Sequence, residues 1–211
     1  MDRILEILFE SVAKVRLLRL FMQNMDRHFT LQEIKEHTQI VNSSLARDLN
    51  KLVKIGLVKE KSAVMHEEKK VVAPSGKKRK KQKNKKILTY AVNTEFPVLN
   101  ELSNFVIKSS SASRKKILSD IKRIGKIKLA IISGIFLNDD TSRLDLMVVG
   151  EDIKKRAFER FLANTESELG KTLRYSIMDI DEFRYRLNMY DRFLRDVLEH
   201  DHEKLINKFD I

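Results

Sequence analysis

The chain has no cysteine, which excludes disulfides, thiolate zinc sites and thiol-based redox or metal sensing. It also lacks a long apolar run. The longest, Leu129 to Leu137, has Ser133 and Gly134 inside it and is far shorter than the roughly 20 residues that span a bilayer. Asp2, Arg3 and Glu6 punctuate the start and no long apolar region follows, which argues against a secretory signal. No glycine-rich loop ending in Lys-Ser or Lys-Thr is present, so that kind of phosphate cradle is excluded too. Together these absences predict a cytoplasmic protein with no membrane partner.

What the chain does have is positive charge. Its 211 residues carry a formal net charge of +12, and 42% of them are apolar, enough for buried cores in two small domains. Lys77, Lys78, Arg79, Lys80, Lys81, Lys83, Lys85 and Lys86 fall within ten residues, and the remainder is close to balanced. A block this dense repels itself and cannot enter a core, so residues 65–86 are expected to be disordered in the free protein.

The stretch 29–58, FTLQEIKEHTQIVNSSLARDLNKLVKIGLV, is the most informative. Thr30 followed by Glu33 has capping-box spacing, so a helix starts there, with Leu31 and Ile34 on its buried face. Thr38-Gln39 and Val41-Asn42 break the pattern, and Asn42 or Ser43 is expected to cap a second helix. There Leu45, Leu49, Leu52 and Val53 form one apolar stripe at i, i+4, i+7 and i+8. Asn42, Ser43, Ser44, Arg47, Asn50, Lys51 and Lys54 are left for the other side. Small hydroxyls at one end, then Arg and Lys a turn apart, suit a helix lying in a major groove. Gly56 permits the left-handed residue that ends a helix, and Leu57-Val58 opens a strand.

The phrase formed by Ser43, Ser44, Arg47, Leu49, Leu52, Gly56, Leu57 and Val58 resembles the winged helix-turn-helix of bacterial and archaeal transcription regulators. The resemblance implies a double-stranded DNA partner, met by Asn42, Ser43, Ser44, Arg47, Lys51 and Lys54. Leu57 to Val64 and Ile87 to Val92 read as the two strands of the wing, which makes the basic insertion its tip. Lysines there would lie along phosphates, adding affinity and salt dependence without reading sequence. A loop that only keeps the protein soluble and a nuclear-import signal are the rival readings. Helix Val12 to Asn24 completes a three-helix core. Ile4, Leu5, Ile7 and Leu8 form an apolar extension ahead of it, and since such extensions commonly pack between subunits in these regulators, the resemblance implies a homodimer.

The second half alternates. Helices are expected at Val98 to Lys108 and Ser113 to Ile124, then strand Lys128 to Ser133, loop Gly134 to Ser142, strand Leu144 to Val149, helix Asp152 to Leu169 and strand Thr172 to Met178. Two closing helices, Asp181 to Asn188 and Asp191 to Glu199, precede a short terminal piece around Leu205-Ile206. The stretch 131–150 resembles the core of small nucleotidyltransferases of the kanamycin and minimal type. There a strand ends in Gly-Ser and the next carries Ser-Asp-x-Asp-Leu, placing two aspartates on one side of a strand to hold Mg²⁺. Here Gly134 keeps the glycine, Ile135 replaces the serine, Ser142 keeps the serine, Arg143 replaces the first aspartate and Asp145 keeps the second. An arginine puts positive charge where a cation would sit, so no catalytic residue is expected. Asp139-Asp140 reads as a solvated turn and Asp179 as a turn or cap.

Gly134, Arg143 and Asp145 are the candidates for holding a phosphate or a nucleotide effector without metal, since arginine offers anions a planar fork of donors. Against that stands the expectation that Arg143 pairs with an acid such as Asp145 and the domain is a platform. His200 and His202 lack a third ligand, so neither metal nor cofactor is expected. Tyr185, Tyr190 and Phe193 are expected in the core.

The fold class is therefore α+β: a winged helix-turn-helix over 1–93 and an α/β nucleotidyltransferase-like domain with a small mixed sheet over 94–211. The function expected is that of a DNA-binding transcriptional regulator. Two other classes stay open, a nucleotidyltransferase targeted by a winged helix and a non-specific nucleic-acid-binding protein.

Overall fold

The computed structural model describes residues 4–72, 78–109, 114–137, 139 and 141–209, with the backbone alone over 64–72 and 78–85. Ser11 starts helix α2 (Val12–Gln23) by accepting the Lys14 amide at 3.1 Å, and a short α1 (Ile4–Leu8) precedes it. α2 buries Val15, Leu17, Leu18, Leu20, Phe21 and Met22, which lie around most of its circumference. A helix apolar on nearly all sides must be surrounded, and α2 is the central one of its unit.

Helix α3 (Leu31–Thr38) opens on the expected capping box: the Thr30 hydroxyl accepts from the Glu33 amide at 3.2 Å while Glu33 Oε2 accepts from the Thr30 amide at 2.7 Å. Three residues separate it from α4 (Asn42–Lys54). Gly56, at φ +79°, ends α4 in a Schellman arrangement, in which the Leu57 amide reaches the Leu52 carbonyl and the Gly56 amide that of Val53. The chain then runs into β2 (Val58–Val72), which pairs antiparallel with β3 (Lys78–Val92). A two-residue β1 (Phe29–Thr30) joins the other side of β3, giving the order β1-β3-β2.

The expectation of disorder over 65–86 does not hold for the backbone of 65–72 and 78–86, which continues the hairpin from Val64↔Lys86 to Val72↔Lys78. Self-repulsion would keep the basic run open only if it stood alone. Pairing it with β2 gives its backbone amides and carbonyls the partners of a regular antiparallel ladder. The first core takes in Leu99 and Val106 of α5 (Leu99–Lys108), so it extends past the boundary expected at 93/94.

The second unit comprises α6 (Arg114–Ile121), β4 (Lys126–Ser133), β5 (Leu146–Glu151), α7 (Lys155–Leu169), β6 (Tyr175–Met178), α8 (Ile180–Asn188), α9 (Arg192–Glu199) and β7 (His202–Asn207). Its sheet is mixed, in the order β6-β5-β4-β7, with β5 and β6 parallel and the other neighbours antiparallel. β4 and β5 are apolar on both faces because both are covered. Ala130, Ile132, Leu146 and Val148 face Ile117 of α6 and Phe158, Phe161 and Leu162 of α7. Leu129, Ile131, Met147 and Val149 face Phe183 of α8 and Leu194 and Val197 of α9.

The two units meet along α7, which packs on α2 and α3. The C-terminal carbonyls of α7 are met from the first unit: Arg19 Nη1 donates to the Glu168 carbonyl and Asn24 Nδ2 to that of Gly170, both at 2.8 Å. Gly170 has φ +77°, and a Cβ there would lie 2.4 Å from the Arg19 carbonyl carbon, so only glycine allows this approach.

Candidate nucleic-acid interface and second-domain cleft

Leu45, Leu49 and Leu52 bury the apolar stripe of α4 and leave Asn42, Ser43, Arg47, Asn50, Lys51 and Lys54 exposed, with Ser44 half-buried. One helix thus gathers every candidate reading residue. Neither Asn42 nor Ser43 caps it, a correction to the expectation. Val41 holds the cap position without a side-chain bond, because Asn42 is already helical and the Val41 carbonyl accepts the first helical amides, from Ser44 at 3.1 Å and Leu45 at 3.0 Å. The helix therefore opens with amides that no side chain of its own occupies.

Asp48 is the residue the sequence reading overlooked. It is 0% exposed, inside the stripe formed with Leu45, Leu49 and Leu52. Its Oδ2 accepts from the Ser11 hydroxyl at 2.8 Å, while Oδ1 lies 3.3 Å from Arg47 Nε and 3.8 Å from Lys51 Nζ. Burial pushes the Asp48 carboxyl up, but the bonds from Ser11 and Arg47 and the charges of Arg47 and Lys51 outweigh it and hold the group below its ordinary value. A buried carboxylate thus sits under two exposed cations of the helix and ties them to the cap of α2. The available signal was a charged residue at the i+3 position of an apolar stripe.

β2 follows α4 directly, so the basic hairpin leaves the first unit beside this helix. Lys86 is exposed. Lys78, Arg79, Lys80, Lys81, Lys83 and Lys85 occupy β3 by backbone register, and Lys77 lies outside the described residues.

In the second unit Gly134 and Asp145 come together and Arg143 points elsewhere. Asp145 is 2% exposed and both its oxygens are taken. Oδ1 accepts from the Ile135 amide at 3.0 Å and Arg174 Nη2 at 2.9 Å, and Oδ2 from the Arg174 amide at 2.8 Å and Nε at 3.0 Å. Burial pushes this carboxyl up as well, yet the Arg174 guanidinium and the two amides together hold it below the ordinary aspartate range. A Cβ on Gly134, at φ +55°, would lie 2.1 Å from Asp145 Oδ1, so the strand end closes over the carboxylate. The amide that follows the glycine, which a phosphate would need, serves Asp145 instead.

Arg143 pairs with an acid as expected, but with Asp196, whose Oδ2 lies 3.0 Å from Nη1, and not with Asp145, which the fork of Arg174 already fills. No sequence pattern marked Arg174, which acts 29 residues away from its partner. Asp179 caps α8 by accepting the Glu182 amide at 2.7 Å, and Asp140 lies outside the described residues. Tyr185 and Tyr190, expected in the core, are 66% and 85% exposed; they fall on the outer side of α8 and in the turn after it, while Phe193 packs partly against the core.

Among the described residues no three His, Cys, Asp or Glu side chains are grouped to hold a metal ion, and no helix is long and apolar enough to cross a membrane. No protein-family model and no curated protein matches this chain.

Proposed function

We propose that this protein is a winged helix-turn-helix regulator that binds double-stranded DNA. In this reading α4 lies in the major groove, and the basic hairpin runs along the phosphates beside it. The observation that carries it is the α4 face: Asn42, Ser43, Arg47, Asn50, Lys51 and Lys54 are exposed together at a helix whose first amides are open. Arginine and asparagine are the side chains that read guanine and adenine edges in pairs of hydrogen bonds, and Asp48 limits the directions Arg47 takes. The exposed Ile4, Ile7 and Leu8 of α1 favour a homodimer.

The second unit is proposed as a nucleotidyltransferase-like platform without transferase chemistry, because a guanidinium fills the place beside Asp145 where a cation would be held. Arg47→Ala tests the central part. On a duplex selected for tight binding it should cost about 1 to 3 kcal/mol, and far less on random duplex. Equal losses on both would reduce Arg47 to a phosphate contact.

A further inference from the structure

Arg192, Asp196 and His200 recur every four residues along α9 and its end, so they share one face. The loop leading into β5 lays Thr141, Ser142 and Arg143 against that face, around a cavity of about 180 Å³. Several of its polar groups are already committed. The Thr141 hydroxyl donates to Asp139 at 2.6 Å and that of Ser142 to the Leu144 carbonyl at 2.7 Å. Arg143 holds Asp196. His200 Nδ1 lies 2.7 Å from the Asp196 carbonyl oxygen, which can only accept; the proton is therefore on Nδ1, and Nε2 is left as an acceptor, able to take the proton of a P–OH group. Arg192 has no acid partner among the described residues. Two guanidiniums thus line one small cavity in which Asp196 is the one carboxylate among the described residues, and Arg192 is not paired with it. Among the described residues of this loop, the acid Asp139 is occupied by Thr141.

We propose that this cavity binds a phosphate-sized oxyanion, held by the forks of Arg192 and Arg143. Guanidiniums match the edge of a tetrahedral oxyanion with two parallel donors. The volume sets the ligand class, since pockets for larger organic ligands run from roughly 300 to 1,000 Å³. A lone phosphate fits within this volume. The site is separate from the Gly134–Asp145 corner, which Arg174 closes.

Titrating the ¹⁵N-labelled full chain with inorganic phosphate, at a constant ionic strength of about 0.15 M, tests this. The readout is the set of side-chain signals of Arg143, Arg192 and His200. A saturable shift of those signals is expected, persisting when residues 77–86 are deleted, which removes the lysine run that attracts any anion. Arg192→Ala, a change on an exposed helix position, should weaken the binding about tenfold or more. ATP, the second probe, should bind no more tightly than phosphate. The proposal is overturned if the three signals do not saturate, if Arg192→Ala binds phosphate as well as the parent, or if ATP binds about tenfold more tightly, which would make this a nucleotide site.

Discussion

Asp145 gives the largest effect expected from a single side chain. Replacing it with Asn keeps the volume but turns an acceptor toward Arg174 into a donor, and the Ile135 and Arg174 amides lose part of their partner. A buried ion pair broken on one side costs about 3 to 5 kcal/mol, and because Arg174 is itself about half exposed, the lower end applies. The folded-state carboxyl is held low, so its contribution is complete at neutral pH and fades as pH falls through the folded value, below the ordinary aspartate range. Denaturant unfolding of parent and Asp145→Asn should therefore differ by about 3 kcal/mol at pH 7 and converge in strong acid. Equal stability at pH 7 would contradict the pairing of Asp145 with Arg174. At this scale the sequence is least legible. Its motif marks Asp145, but as a candidate for a metal-free phosphate site or a partner of Arg143; Arg174 and Ser11 are invisible there because what defines them is a contact across 29 and 37 residues.

Elements are easier to read, because periodicity and caps are local. The Thr30–Glu33 box, the Leu45–Leu49–Leu52 stripe and the glycine after α4 fall where their spacing puts them. Two elements differ for physical reasons. β7 is expected only as a short piece, since its six residues have mixed polarity and become a strand by pairing with β4. The basic run is expected as disorder, because its charge is visible in the sequence while the strand it pairs with, β2, is identified only by the backbone register. Each strand of the hairpin is 15 residues, about 50 Å at strand rise, so the hairpin reaches well beyond the unit that carries it. Deleting residues 77–86 should weaken binding to every duplex and flatten the salt dependence, by roughly 0.9 in the slope of log K against log salt for each phosphate no longer neutralised. An unchanged slope would leave the run as a solubility loop.

For the whole molecule, the central feature is the seam between the two units. Arg19, Asn24 and Gly170 clamp the end of α7 onto α2, and α2 also packs against α4, so the sheet domain and the α4 face are joined through one helix. The sequence shows two units and their order but not this seam, since Gly170 reads as an ordinary helix end until Arg19 is seen against it. The basic composition and the exposed α4 face both bear on a duplex partner. The measurement that tests this most directly is selection by the full chain from a pool of random-sequence double-stranded DNA at physiological salt, sequenced after several rounds. The account predicts a shared sequence that is bound at least about 10³-fold more tightly than the unselected pool. A pool that stays random, retained no better than single-stranded DNA of the same length, would contradict it.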